Sequence, residues 1–128
     1  MNVVDTSGWL AFFFDEPNAG VFAPLVEDAE TLVVPAICLY EVFKKVLQVA
    51  DEARALKAVA HMRQGTIVTT DERLCLDAAR LSVAHRLPMA DGLILATAEA
   101  TGATLWTEDA HFAGLAGVRF VAKPAKDR

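Results

Sequence analysis

The chain predicts an α/β domain: a three-layer α/β/α sandwich around a central parallel sheet of four to five strands. Two patterns carry that expectation. Short apolar runs (Asn2-Val3-Val4, Thr31 to Val34, Thr66 to Val68, Ala103 to Trp106, Val118 to Val121) alternate with segments of helical period. Such strands belong in a parallel sheet covered on both faces. Met89 to Thr101 is apolar or small on nearly every side, which suits a helix buried on more than one face. Gly102 after it is the expected left-handed stop. The 128 residues make a single domain over 1–128, large enough for a core without disulfides.

After the first strand come the small polar residues Asp5-Thr6-Ser7, and Trp9 to Phe14 reads as an apolar helix closed by Asp15-Glu16-Pro17-Asn18. Ala19 to Ala29 is a second short helix, with Pro24 in its first turn or breaking it. Pro35 ends the second strand. From Ala36 to Ala50 the period is helical, with Leu39, Val42, Phe43, Val46 and Ala50 inward and Ile37, Glu41, Lys44, Lys45 and Gln48 on another face. Asp51 caps a helix to Arg63 whose apolar side is Leu56, Val59 and Ala60, and Gly65 ends it. Thr69-x-x-Glu72 reads as a capping box opening a helix to His85, with Leu74, Ala78 and Leu81 toward the core. Residues 123–128 are a polar tail expected to fray.

Composition narrows the function classes. Hydrophobic residues make up 54% of the chain and mean hydropathy is +0.32, a surplus that points to a second apolar surface at an interface. No apolar run approaches the length that spans a bilayer. The N-terminus carries Asp5 and no leading basic residues, so it does not read as a secretory signal. Cys38 and Cys75 lie outside any C-x-x-C and suit buried thiols in a reducing cytoplasm. The net charge of −5 argues against nucleic-acid binding by bulk electrostatics. It leaves open a site in which acids gather around a cation.

The acids suggest such a site. Ligands of parallel sheets bind beyond the carboxyl ends of the strands. Asp5 and Asp109 follow strands directly, Glu41 lies about a turn and a half into the helix after strand two, and Asp91 opens the buried helix before strand four. Two carboxylates about 4 Å apart repel by roughly 4 kcal/mol at an effective dielectric of about 20, so a cluster keeps protons or holds a cation. Oxygen donors without His or Cys suit Mg²⁺ or Mn²⁺, which complete their shells with phosphate oxygens. Metal-dependent phosphodiester hydrolysis is the natural chemistry.

Asp5-Thr6-Ser7 after the first strand, Glu41 in the helix after the second, Asp91 opening Leu93-Ile94-Leu95-Ala96-Thr97-Ala98, and Trp106-Thr107-Glu108-Asp109 with Phe112 together resemble a PIN domain. In length and order they resemble most the toxin ribonucleases of type II toxin–antitoxin (VapBC-like) modules. The resemblance implies endonucleolytic cleavage of RNA, with Mg²⁺ or Mn²⁺ held by Asp5, Glu41, Asp91 and Asp109 and with Ser7 and Thr107 in support. It also implies a homodimer and a small antitoxin protein that covers the site. Trp106 stands where many relatives have an aliphatic residue, and Glu108 at a position often basic.

Each acid alone has an ordinary explanation. Asp5 suits a helix cap, Asp91 the positive end of a helix dipole, and Asp109 a turn. Glu41, mid-helix among Ile37 and Tyr40, asks for a partner. His61, His85 and His111 share no ligand spacing and read as surface or helix-end residues. Lys44 and Lys45 are the first candidates for RNA-backbone contact, and Arg73 and Arg80 weaker ones that ion pairs explain as well. Trp9, Phe13 or Phe14 are candidates for a dimer or antitoxin surface, where an amphipathic helix would dock by its apolar face. Two alternatives remain: a receiver-like Mg²⁺-binding signalling domain, which lacks its Asp at the end of strand three, and a catalytically silent binding module of the same fold. Dinucleotide-binding glycine loops, Walker loops and H-E-x-x-H are all missing.

Overall fold

A computed structural model describes residues 1–125. Its elements, in chain order, are β1 (Asn2–Val4), α1 (Thr6–Phe13), α2 (Ala19–Val26), β2 (Leu32–Pro35), α3 (Ala36–Val49), α4 (Glu52–Met62), β3 (Thr66–Val68), α5 (Glu72–His85), α6 (Met89–Thr101), β4 (Thr104–Thr107), a 3-10 turn (Ala110–Phe112) and β5 (Val118–Phe120). The strands pair in the order β3-β2-β1-β4-β5. Every pair is parallel, with Val3 opposite Val33 on one side and Leu105 on the other. The six helices cover this five-stranded sheet, the expected three-layer α/β/α arrangement. Strand order reverses at β1, which lies between β2 and β4, and a crevice opens beyond the strand ends at such a point. In a flavodoxin-like receiver domain β1 lies between β2 and β3, so the receiver alternative loses its topology.

The strands are short and apolar because both faces are covered. Val3, Val4, Leu32, Val33, Val34 and Leu105 are buried, and Trp9, Phe22 and Phe112 are enclosed with them. Each such side chain contributes about 1.5–3 kcal/mol by leaving water. In α6 the unbroken run Ile94 to Ala98 is buried, as expected of a helix enclosed on several faces. Gly102 caps it with φ 67°, a left-handed conformation that costs other residues a Cβ clash.

The structure corrects several details. The helix after β1 starts at Thr6, because Asp5 caps it through Gly8 N–H. α2 stops at Val26 and runs through Pro24. Asp71, not Thr69, caps α5 by accepting from Leu74 N–H. On α4 the inward residues are Ala55, Ala58 and Met62, while Leu56 is exposed. Ala50 is exposed rather than inward, and α3 is anchored by Cys38, Val42 and Val46. Cys75 is exposed; only Cys38 is a buried thiol. No regular element covers residues 121–125, and the remainder of the predicted tail, 126–128, lies outside the described residues. No described helix is long and apolar enough to cross a membrane.

Candidate functional site

Beyond the carboxyl ends of β1, β2 and β4 the four acids converge. Asp5, directly after β1, is 2% exposed. Its Oδ1 accepts from Gly8 N–H at 3.0 Å and Ser7 Oγ at 2.7 Å, and its Oδ2 accepts from Thr107 Oγ1 at 2.7 Å. Thr107 Oγ1 in turn accepts from Asp109 N–H at 2.9 Å, and Ser7 Oγ from Glu108 N–H at 3.3 Å. The two hydroxyls therefore tie the end of β1 to the end of β4. Glu41, six residues into α3, accepts from Thr6 Oγ1 at 2.5 Å, the partner its mid-helix position called for.

Asp91 and Asp109 approach from opposite sides, and His111 stands between them. Its Nδ1 lies 3.3 Å from Asp91 Oδ2 and 3.2 Å from Asp109 Oδ1. Asp109 Oδ1 also caps the 3-10 turn through His111 N–H at 2.9 Å. By spacing alone His111 reads as a surface residue. The structure brings it into the cluster, because a 3-10 turn returns residue i+2 toward the carboxylate that caps it.

The electrostatics match a gathered set of like charges. Burial pushes the Asp5 carboxyl up to about 6, opposed by its three hydrogen bonds and assisted by the charge of Asp109. Asp91 is also pushed up to about 6, first by burial and then by Asp109, with Glu41 adding and His111 opposing. Buried Cys38 lies below them, its thiol raised by burial and by the charges of Asp5, Glu41 and Asp91. The donors fit a hard divalent ion: carboxylate oxygens with uncompensated charge, on a rim where Asp91 and Asp109 are only partly buried. Among the described residues no Lys or Arg pairs with any of the four.

The other sequence candidates separate. Lys44 and Lys45 are exposed on α3, one turn beyond Glu41, with Lys44 5.7 Å over the Tyr40 ring. Arg73 and Arg80 both pair with Asp77, at 3.9 and 2.8 Å, as the ion-pair explanation expected. Trp9 is fully buried and cannot form a docking surface, whereas Phe14 is 39% exposed. Phe12, Phe13 and Phe14 line a groove of about 810 Å³ with Val46, Val49 and Ala58. Trp9 Nε1 and His61 Nε2, whose rings lie 6.0 Å apart, are buried without hydrogen-bond partners among the described residues.

A wound parallel sheet carrying a carboxylate cluster at its switch point places the chain among the α/β domains whose ligands bind beyond the strand ends. The PIN domain family model matches residues 3–118, and the chain belongs to that family. No curated protein matches it in sequence. Solved structures share the fold. A toxin–antitoxin complex from Klebsiella pneumoniae is 22% identical with a TM-score of 0.77, over 97% of this chain and 100% of the other. VapC20 of Mycobacterium tuberculosis, a toxin that cleaves the sarcin–ricin loop, is 19% identical with a TM-score of 0.75, over 93% and 99%. VapBC2 of Rickettsia felis, bound to a DNA fragment from its promoter, is 16% identical with a TM-score of 0.72, over 94% and 97%.

Proposed function

We propose that this chain is a single-domain, metal-dependent endoribonuclease and the toxin of a toxin–antitoxin pair, acting in the cytoplasm. The observation that carries the reading is the convergence of Asp5, Glu41, Asp91 and Asp109 on one edge of the sheet, without a Lys or Arg partner among the described residues. In this reading the four hold Mg²⁺ or Mn²⁺, which when bound activates water and neutralises charge on a phosphodiester. Ser7 and Thr107 fix both oxygens of Asp5, so this carboxylate is held before any ion arrives. Thr6 does the same for Glu41. Lys44 and Lys45 supply the nearby positive charge that an acidic chain needs to hold an RNA backbone. Membership in the PIN family and the ribonuclease activity named for the VapC20 structure support the substrate class.

The antitoxin fits the aromatic groove between α1, α3 and α4. It would offer an apolar helix face to Phe12, Phe13 and Phe14, with Arg54 and Lys57 at the rim. From Val49 in the groove back to Glu41 is about 12 Å along α3 at 1.5 Å per residue. A helix seated there covers the acids only if its chain runs on by about two further turns. The exposed Tyr40, Leu47, Leu76, Val83 and Met89 account for the surplus apolar composition and suit a homodimer contact, which sedimentation would test.

The test of the enzyme is cleavage of single-stranded RNA with Mg²⁺ or Mn²⁺ by wild type, Asp5→Asn and Asp91→Asn. Cleavage by wild type alone is expected. Equal cleavage by both variants would refute the mechanism, and no Mn²⁺ binding by calorimetry would favour a silent binding module.

A further inference from the structure

We propose that His111 Nδ1, with Asp91 and Asp109, forms a mixed nitrogen–oxygen seat for one divalent ion, and that this seat makes the chain favour Mn²⁺ over Mg²⁺. The inference rests on the nuclease reading and extends it to a residue outside the four acids.

The geometry comes from three elements. Asp91 sits in the first turn of α6, Asp109 just after β4, and His111 in the 3-10 turn. One donor atom from each lies within 4.8 Å of the other two. An octahedral ion with bonds of about 2.1 Å sets neighbouring donors about 3.0 Å apart and opposite ones about 4.2 Å. The separations of 3.3 and 3.2 Å from Nδ1 fall in that range. They exceed the 2.7–2.9 Å of a charge-assisted N–H···O⁻ bond, so the ring is not drawn closely to either carboxylate. It stands nearly equidistant from both, where a shared ion would bind all three. The His111 side chain is 58% exposed, so it closes only one side of the seat and leaves room for water and a phosphate oxygen.

The selectivity follows from ligand type. Mg²⁺ binds nitrogen donors poorly and takes oxygen and water, whereas imidazole suits transition ions. Four carboxylates alone would discriminate little between Mg²⁺ and Mn²⁺. Asp5 and Glu41 belong to the all-oxygen side of the cluster, and His111 makes the Asp91–Asp109 side different.

The experiment measures binding, not turnover. Mn²⁺ and Mg²⁺ are titrated calorimetrically into wild type, His111→Ala and Asp91→Asn, and Mn²⁺-loaded protein is studied by electron spin-echo envelope modulation. The wild type is expected to show ¹⁴N coupling from a directly bound imidazole and His111→Ala to lose it. The Mn²⁺/Mg²⁺ affinity ratio is expected to fall about tenfold in His111→Ala, while Asp91→Asn weakens both ions. An unchanged ratio without ¹⁴N coupling in wild type overturns the inference and leaves the nuclease reading standing, with His111 a counterion to two carboxylates. Wild type that binds neither ion overturns both.

Discussion

Replacing Asp5 by Asn should make the metal-free protein more stable while abolishing its function. The buried carboxylate is held by Ser7, Gly8 and Thr107, yet its pKa rises from 3.8 to about 6, so burial outweighs those bonds. Each tenfold is worth about 1.4 kcal/mol, and the rise therefore corresponds to about 3 kcal/mol against the charged form at neutral pH. Asn retains the cap, since Asn and Asp are equally good at that position. Its Oδ1 still accepts from Gly8 and Ser7. Its Nδ2 then faces Thr107 Oγ1, whose hydroxyl must turn from donor to acceptor, at a cost of about 1 kcal/mol. The net gain is about 2 kcal/mol above pH 7. Near pH 3.5, where Asp is mostly protonated in both states, the gain should vanish and leave at most the hydroxyl cost of about 1 kcal/mol against the variant. Urea melts in EDTA at pH 3.5 and 7.5 check this. A variant less stable than wild type at pH 7.5, or displaced equally at both pH values, would refute the account of Asp5 as a strained charge.

Three further outcomes follow from the same cluster and its supports. Because the folded-state pKa values of Asp5 and Asp91 are both raised to about 6, their contribution to metal-free stability is full below about pH 4. It is lost as pH rises through 6, whereas Mn²⁺ affinity should climb over that interval and level off. Melts of wild type and the Asp5→Asn/Asp91→Asn pair in EDTA, with calorimetry at each pH, read both. Thr6→Val removes the donor to Glu41 and should lower Mn²⁺ affinity about tenfold or more; Thr6→Ser should restore it. Gly92→Ala puts a Cβ 2.1 Å from Ser82 Oγ and 2.9 Å from Ala78 O, where α5 and α6 pack. It should cost about 1–3 kcal/mol, partly relieved in a Gly92→Ala/Ser82→Ala double variant by urea titration.

The fold was legible because a parallel sheet buried on both faces leaves short, wholly apolar strands, and because Gly102 marks where α6 must stop. Asp5 and Asp109 were legible from topology, since residues just past strand ends share an edge, whereas Glu41 and Asp91 sit on helices and were chosen with the resemblance. What escaped depends on packing and local turns. Hydropathy put Leu56 inward on α4, yet Ala55 and Ala58 are the residues that fit the space beside α3. Three-residue spacing could not expose His111 as a partner of Asp91, twenty positions earlier, because only the fold brings α6 and the end of β4 together. Thr6 was read only as a small polar residue after the strand, and its bond to Glu41 emerges because Asp5 caps a helix that starts at Thr6.

Adjacent acids at the end of β4 pose the last question, because the resemblance points to Asp109 while Glu108 stands beside it. Successive residues of extended backbone point to opposite sides, and only one can face the cluster. Asp109, with φ −86° and ψ 120°, turns its carboxylate to Asp91 and His111. Glu108 turns away and is 7% exposed. Its Oε2 accepts from Asn18 Nδ2 at 3.0 Å and its Oε1 lies 4.0 Å from Lys123 Nζ. Asn18 Nδ2 also donates to Ala122 O at 3.1 Å, so Glu108 joins the start of α2 to the segment after β5. Its role is thus to hold the edge of the sheet. Glu108→Gln keeps an acceptor for Asn18 and gives up only a 4.0 Å contact with an exposed lysine, away from the cluster, so Mn²⁺ affinity should stay within about threefold. Asp109→Asn should lower it by about tenfold or more. Glu108→Ala should instead cost about 1–3 kcal/mol of stability by leaving Asn18 short of a partner. Calorimetry beside urea melts separates the two effects. If Glu108→Gln loses Mn²⁺ as completely as Asp109→Asn, the assignment of the β4 acid is wrong.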